Sequence, residues 1–166
     1  YEISLGLVGS EMCIRDSLQI ELYNEQIAEI EALYKSILDE MDSPILTIPG
    51  MSYNQAAVIV GCIGDINRFQ HSCQLLAYAG LDPSVIQSGN FQARSTKMSK
   101  RGSGMLRYSL VYSAHNVVKN NKTFRDYYEL KRSQGKSHYC ALGHVAHKLV
   151  RVIFKLLKDN VTFNLD

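Results

Sequence analysis

Leu46 to Asp65 reads LTIPGMSYNQAAVIVGCIGD, and the fold class turns on this stretch. An apolar segment carrying Leu46 and Ile48 runs into Pro49-Gly50, and an Ala/Val/Ile-rich helix follows at once. Two helices joined by so tight a glycine turn form a helix-hairpin-helix. The first amide groups of the second helix lack intrahelical partners and point outward. They offer partial positive charge to an anion, most usefully a nucleic-acid phosphate. Such a contact grips a backbone without reading bases. Gly50 permits the turn. Ser52 stands two residues on, where a glycine would let a phosphate come closest, and its hydroxyl adds a donor. The same residues also fit an ordinary corner packing two helices together.

Outward from the turn the pattern is helical. Ser43-Pro44 begins a short helix leading into the hairpin. Asn54 stands at the N-cap position of a helix over 54–63, ended by Gly64-Asp65. Ser72 caps a helix over 73–79, and Gly80 stops it. Ser103 opens a helix to about Lys119, which Asn120-Asn121-Lys122 breaks. Further helices cover 123–132 and 137–158. The last buries a stripe of Leu142, Val145, Ala146, Leu149, Ile153 and Leu156. The tail after Asp159 is expected to fray.

Upstream, Ile20, Tyr23, Ile27, Ile30, Tyr34, Ile37 and Met41 recur at spacings of 3 and 4 through three heptads. So narrow an apolar seam on an acidic helix asks for a partner helix, and predicts a coiled coil and a homo-oligomer. The alternative is an amphipathic helix lying on its own domain. The expected fold is mainly α: a helix-hairpin-helix domain preceded by a long coiled-coil helix, with one long basic loop or short β-hairpin. The expected segments are a leader (1–17), a coiled-coil linker (18–43), the main domain (44–158) and a tail (159–166). Gly9 to Ser17, GSEMCIRDS, resembles translated sequencing-adapter read-through, so residues 1–17 are set aside as non-native.

The 166 residues are 46% hydrophobic and 20% charged, an ordinary profile for one globular domain. The net charge of +2 conceals two opposed halves. Residues 1–65 hold 11 Asp/Glu and 2 Lys/Arg, whereas residues 66–166 hold 5 Asp/Glu and 16 Lys/Arg. A basic half of this size points to a polyanion partner, DNA or RNA. A solvated surface balanced by the acidic half is the blander reading. The four cysteines form no C-x-x-C pair; Cys62 and Cys73, in apolar runs, read as buried free thiols of a reducing compartment. No apolar run approaches the ~20 residues that span a bilayer. A cytoplasmic, DNA-associated protein is expected, with no membrane partner.

The 18 residues from Ser84 to Arg101 lack helical periodicity and are long for a loop without function. From Arg94 to Arg107 there are five cations (Arg94, Lys97, Lys100, Arg101 and Arg107) and no acid. Gly89, Gly102 and Gly104 let backbone approach a phosphate. Ser88 precedes Gly89 on this surface. A serine hydroxyl with guanidinium groups beside it is chemically adequate for attack on a phosphodiester, because the cations stabilise the pentavalent transition state. Most surface serines are only turn residues. The physical expectation is a cationic, glycine-punctuated strip lying beside the helical corner and holding a phosphodiester against a hydroxyl. His138, Cys140, His144 and His147 share one helix; core or capping roles are favoured over metal ligation. Asp65, Asp82 and Asp126 are scattered, and no carboxylate cluster fit for Mg²⁺ is present.

The ordered set LTIPGM, AAVIVGCIGDINRF, QLLAYAGLDP, QSGN, MSKRGSGMLR and YYELKRSQGK resembles the C-terminal transposase domain of the insertion-sequence-110 family, the serine transposases described as bridge-RNA-guided recombinases. The resemblance covers about residues 44–158. It implies a C-terminal domain that follows a RuvC-like domain and a coiled coil, and that takes part in DNA transposition by phosphodiester cleavage and strand exchange. It carries the catalytic serine to Ser88 in the QSG motif, with Ser99 as second choice. It makes Arg94, Lys97, Lys100, Arg101 and Arg107 contacts to DNA or a guide RNA, beside the Gly50 and Ser52 contacts read from the hairpin. It assigns Mg²⁺ to the RuvC-like domain and no cofactor to this chain. The usual PGIG is PGMS here, which loosens the hairpin's phosphate grip. This chain alone is then expected to bind nucleic acid without recombining DNA. The alternatives are a non-enzymatic helix-hairpin-helix module binding DNA or RNA, in which Ser88 is a turn residue, and a dimerisation module driven by the heptad helix.

Overall fold

The structure, a computed structural model, describes residues 2–84, 87–88, 91–92 and 97–164, with side chains at 12–84 and 97–164. Six α-helices make up most of the described residues: α1 (Glu2–Glu40), α2 (Tyr53–Ile63), α3 (Ser72–Tyr78), α4 (Gly104–Asn120), α5 (Lys122–Ser133) and α6 (His138–Asp159). Contacts divide the chain into two units, Tyr1–Glu40 and Met41–Asp166.

The first unit is one helix of 39 residues. It runs without a break through residue 17. Of the heptad residues, Ile20, Tyr23, Ile27, Ile30 and Ile37 are exposed. Its periodicity therefore yields the expected helix, with most of the seam in solvent.

In the second unit α4 packs between α2 and α6. Helices α2 and α4 pack on each other, and Ala56, Ile59 and Ile63 of α2 and Leu106, Leu110, Ala114 and Val117 of α4 are all fully buried. The stripe on α6 runs Ala141, Val145, Ala146, Leu149, Val150 and Ile153, also buried, at the 3–4 spacing that the sequence predicts. Each large side chain so buried contributes roughly 1.5–3 kcal/mol. Ser109 and Ser113 lie within this layer, and the Ser113 hydroxyl finds no hydrogen-bond partner among the described residues.

The caps follow from local chemistry. Ser103, Asn121 and Ser137 each accept from a backbone amide three residues on, opening α4, α5 and α6. Two expected caps move. Ser52, not Asn54, caps α2, because Ser52 is the extended residue and its hydroxyl oxygen accepts from the Gln55 amide. Ser72 is already helical, and the Gln74 side chain reaches back to the amides of Gln70 and His71. The segment entering the Pro49-Gly50 turn is a single 3-10 turn, Pro44–Thr47.

Two other expectations are corrected. Residues 160–164 do not fray: the Phe163 amide donates to Thr47 Oγ1 at 2.8 Å, and its ring lies 6.4 Å from that of Phe124. Cys73 and Cys140 are exposed and Cys62 half-buried. The apolar runs around Cys62 and Cys73 turn other residues to the core.

Candidate functional site

The two ends of the basic segment are zipped to each other. Residues 78–84 and 97–103 run antiparallel, joined by backbone bonds from Ser84 to Lys97, Ser99 to Asp82, Lys100 to Gly80 and Ser103 to Tyr78, at 2.7–3.0 Å. Farther out, Gln87–Ser88 pairs antiparallel with Phe91–Gln92. The segment is therefore a stem rooted between α3 and α4. At its base two glycines cross so closely that neither can carry a side chain. A Cβ on Gly102 would overlap the Tyr78 carbonyl oxygen, and one on Gly80 would lie 2.6 Å from Gly102 N.

Ser99 is bolted to Asp82 twice. Its amide donates to the Asp82 carbonyl, and its hydroxyl donates to Asp82 Oδ1 at 2.5 Å. The Ser99 oxygen also accepts from the Arg101 amide. The sequence shows Asp82 only as one of three scattered acids and carries no sign of this pairing, because 17 residues separate it from its partner. Lys97, Lys100 and Arg101 are exposed on the stem. Lys100 holds φ +55, a left-handed conformation that suits glycine and strains other residues. Arg107 is only half exposed. Its Nη1 donates to the Ala79 carbonyl at 3.1 Å and its guanidinium packs over Gly80. Arg94 and Gly89 lie outside the described residues, as does the side chain of Ser88.

Gly50 keeps φ +92, with Asn116 O and Asn120 Nδ2 within 2.9 Å of where a Cβ would stand. The turn is thus pressed against the C-terminal end of α4. The amides of Met51, Gln55 and Ala56 are taken, by the Ile48 carbonyl, the Ser52 hydroxyl and the Ser52 carbonyl. The stem meets the opposite end of α4, at Ser103. Thirteen residues of helix separate Ser103 from Asn116, about 20 Å at the α-helical rise. The expectation that the cationic strip lies beside the corner is corrected. Sequence adjacency joins the corner to α2, whereas packing sets it against the far end of α4.

Between the stem and α6 opens a groove of about 590 Å³, lined by Lys97, Met98, Lys100, Tyr139, His144 and His147 among others. His147 hydrogen-bonds the Leu81 backbone, and burial holds its pKa below the ordinary value, with Arg151 adding to the shift and Leu81 and Asp82 opposing it. His144 is lowered by burial and then by Lys131, His147 and Lys136. Both histidines are half-exposed and line the groove. Among the described residues no three His, Cys, Asp or Glu side chains converge to hold a metal.

A sequence profile of the family described as Transposase IS116/IS110/IS902 matches residues 42–129, which include α2, α3, the stem, α4 and most of α5. The chain belongs to that family. It is similar to the insertion element IS110 43.6 kDa protein of Streptomyces coelicolor, at 30% identity over 84% of this chain and 35% of that protein. It is also similar to the transposase of insertion sequence element IS1111A of Coxiella burnetii, at 31% identity over 96% of this chain and 46% of that one. A pilin gene-inverting protein of Moraxella bovis aligns at 26% identity over 76% of this chain and 40% of its own length. The chain thus spans a third to a half of the relatives it matches. The family match takes in both the corner at Gly50 and the stem, the two places where the sequence reading put its phosphate contacts. No helix among the described residues is long and apolar enough to cross a membrane.

Proposed function

We propose that this chain is the nucleic-acid-gripping and serine-bearing part of a transposase acting in DNA transposition. The observation that carries the reading is the stem. It gathers Lys97, Lys100 and Arg101 on an exposed surface, at the root of the arm on which Ser88 sits. In this reading Ser88 is the nucleophile. Its Oγ–P bond forms as the P–O bond to the departing strand breaks, and the serine proton ends on the departing oxygen. The stem cations, with Arg94, stabilise the added negative charge of the pentavalent state. The phosphoserine link keeps the bond energy, so a second hydroxyl reverses the step and joins a new strand.

Ser99 takes a different part. Its hydroxyl is committed to Asp82 and its oxygen accepts from Arg101, which suits a residue that locks the stem rather than one that attacks. Arg107, tied to Ala79, braces the same base. Gly50 shapes the corner, and Ser52, which caps α2, offers its proton there to a second phosphate. DNA and a guide RNA are the proposed partners, and the heptad face of α1 the proposed contact between copies. Mg²⁺ belongs in this reading to an acidic tetrad in the part of the relatives that this chain does not span, and no step here runs through it.

The test is strand exchange by the full-length protein that contains this chain. Ser88→Ala is expected to abolish recombination while DNA binding stays within twofold. Ser99→Ala is expected to lower the melting temperature and retain recombination. If Ser88→Ala recombines normally, the chain is a binding module and Ser88 a turn residue.

A further inference from the structure

One surface of α4 belongs neither to the stem nor to the Gly50 corner. Met105, Tyr108 and Tyr112 stand at 65%, 66% and 47% exposure. At 100° per residue they fall with Lys119 within a narrow sector of the helix. Tyr108 and Tyr112 stack on each other, with centroids 6.0 Å apart and planes 24° from parallel. Neither ring is needed by the core, which the opposite face of α4 fills with Leu106, Leu110, Ala114 and Val117.

The charge around the rings says what would cover them. Helix α4 contains no acid, and residues 83–158 contain two, Asp126 and Glu129, against fifteen Lys and Arg. Exposed Arg101 stands just before the helix and exposed Lys119 near its end. Among the described residues the one salt bridge in this half, Lys155–Asp159, lies on α6. An apolar protein surface laid over the tyrosines would leave these cations unneutralised. A strand of nucleic acid meets both needs, with phosphates for the cations and flat bases for the rings. The stripe also runs between the stem at one end of α4 and the Gly50 corner at the other, over a helix of 17 residues, about 25 Å.

We infer that Tyr108 and Tyr112, with Met105 beside them, form a stacking platform for unpaired bases of a single nucleic-acid strand whose backbone is held by the cations at the two ends of α4. Duplex bases are stacked on one another and cannot enter such a platform, so the surface discriminates single strand from duplex without reading sequence. The inference rests on the nucleic-acid reading above and adds a strand preference to it.

The experiment measures binding of this chain to a fluorescein-labelled 20-nucleotide single strand and to the same sequence as duplex, by anisotropy. The double variant Tyr108→Ala/Tyr112→Ala is expected to lose tenfold or more in affinity for the single strand and less than twofold for duplex. Its melting temperature should be unchanged, because both rings are exposed. Tyr108→Phe/Tyr112→Phe keeps both ring faces and is expected to restore single-strand binding. Equal loss on both ligands, or no loss on either, overturns the platform and leaves the nucleic-acid reading standing. So does a double variant whose native mass falls while binding holds, which makes the rings a contact between copies. If the parent chain binds neither ligand, the nucleic-acid reading itself fails.

Discussion

Gly102 and Gly61 give opposite answers to the same substitution. At Gly102 a methyl group collides with the Tyr78 carbonyl and lies 2.5 Å from Gly80 N, both backbone atoms that cannot swing aside. Gly102→Ala is expected to cost at least ~3 kcal/mol, read as a fall in urea midpoint. At Gly61, in the interior of α2, a methyl meets nothing within 4 Å. Gly61→Ala is expected to stabilise by roughly 0.5–1 kcal/mol. Lys100 extends the same logic to a cation in a glycine conformation. Lys100→Gly is expected to raise stability by up to ~1 kcal/mol while weakening nucleic-acid binding, checked by melting and by anisotropy on one preparation. At this scale much was legible in the sequence. Ser103 precedes an apolar helical run and caps it as expected, whereas Asn121, read as a helix breaker, and Ser137, read as the first helical residue, cap α5 and α6. The cap of α2 falls on Ser52 and not on Asn54 because two polar residues compete for one place, and only the extended backbone at Ser52 decides between them.

Among the elements, the stem and α6 meet through His147. Its pKa is lowered in the fold chiefly by burial, and Arg151 pushes the same way. His144 is lowered too, by burial and by Lys131, His147 and Lys136, and His115 likewise by burial, Lys119 and His138. For each, the unfolded chain takes up a proton before the folded one does. Stability is therefore full above the ordinary value of 6.5 and is lost as pH falls from there toward the depressed folded values. Thermal midpoints measured at pH 8, 7, 6 and 5 are expected to fall mainly below pH 7, and His147→Gln to flatten the decline. The helices themselves follow from periodicity, including the stripe of α6 and the heptad part of α1, though not the part of α1 before residue 18. The stem does not, because its pairing joins residues up to 25 positions apart, such as Tyr78 and Ser103, and a single sequence carries no signal for such contacts. The two hydrogen bonds from Ser99 to Asp82 were hidden for the same reason, as was the role of Arg107, whose target is the carbonyl of Ala79.

Across the molecule, the charge asymmetry visible in the sequence becomes a basic helical unit, Met41–Asp166, in which few carboxylates answer the cations. Composition foretold the sign of this unit's charge. It did not foretell that the Gly50 corner and the cationic stem stand at opposite ends of α4, since chain order places the corner before α2 while packing presses it against Asn116 and Asn120. The expected single phosphate pinched between corner and strip thereby gives way to two proposed contacts about 20 Å apart along one helix.

The proposed grip of the stem on phosphates runs through Lys97, Lys100 and Arg101. It is tested most directly by the salt dependence of duplex DNA binding, measured from 50 to 300 mM KCl for the parent chain and for Lys97→Ala/Lys100→Ala/Arg101→Ala. Each phosphate that is no longer neutralised lowers the slope of log K against log salt by about 0.9, so the triple variant is expected to bind more weakly and with a slope smaller by roughly 2 to 3. An unchanged slope in a variant that remains folded would contradict the claim.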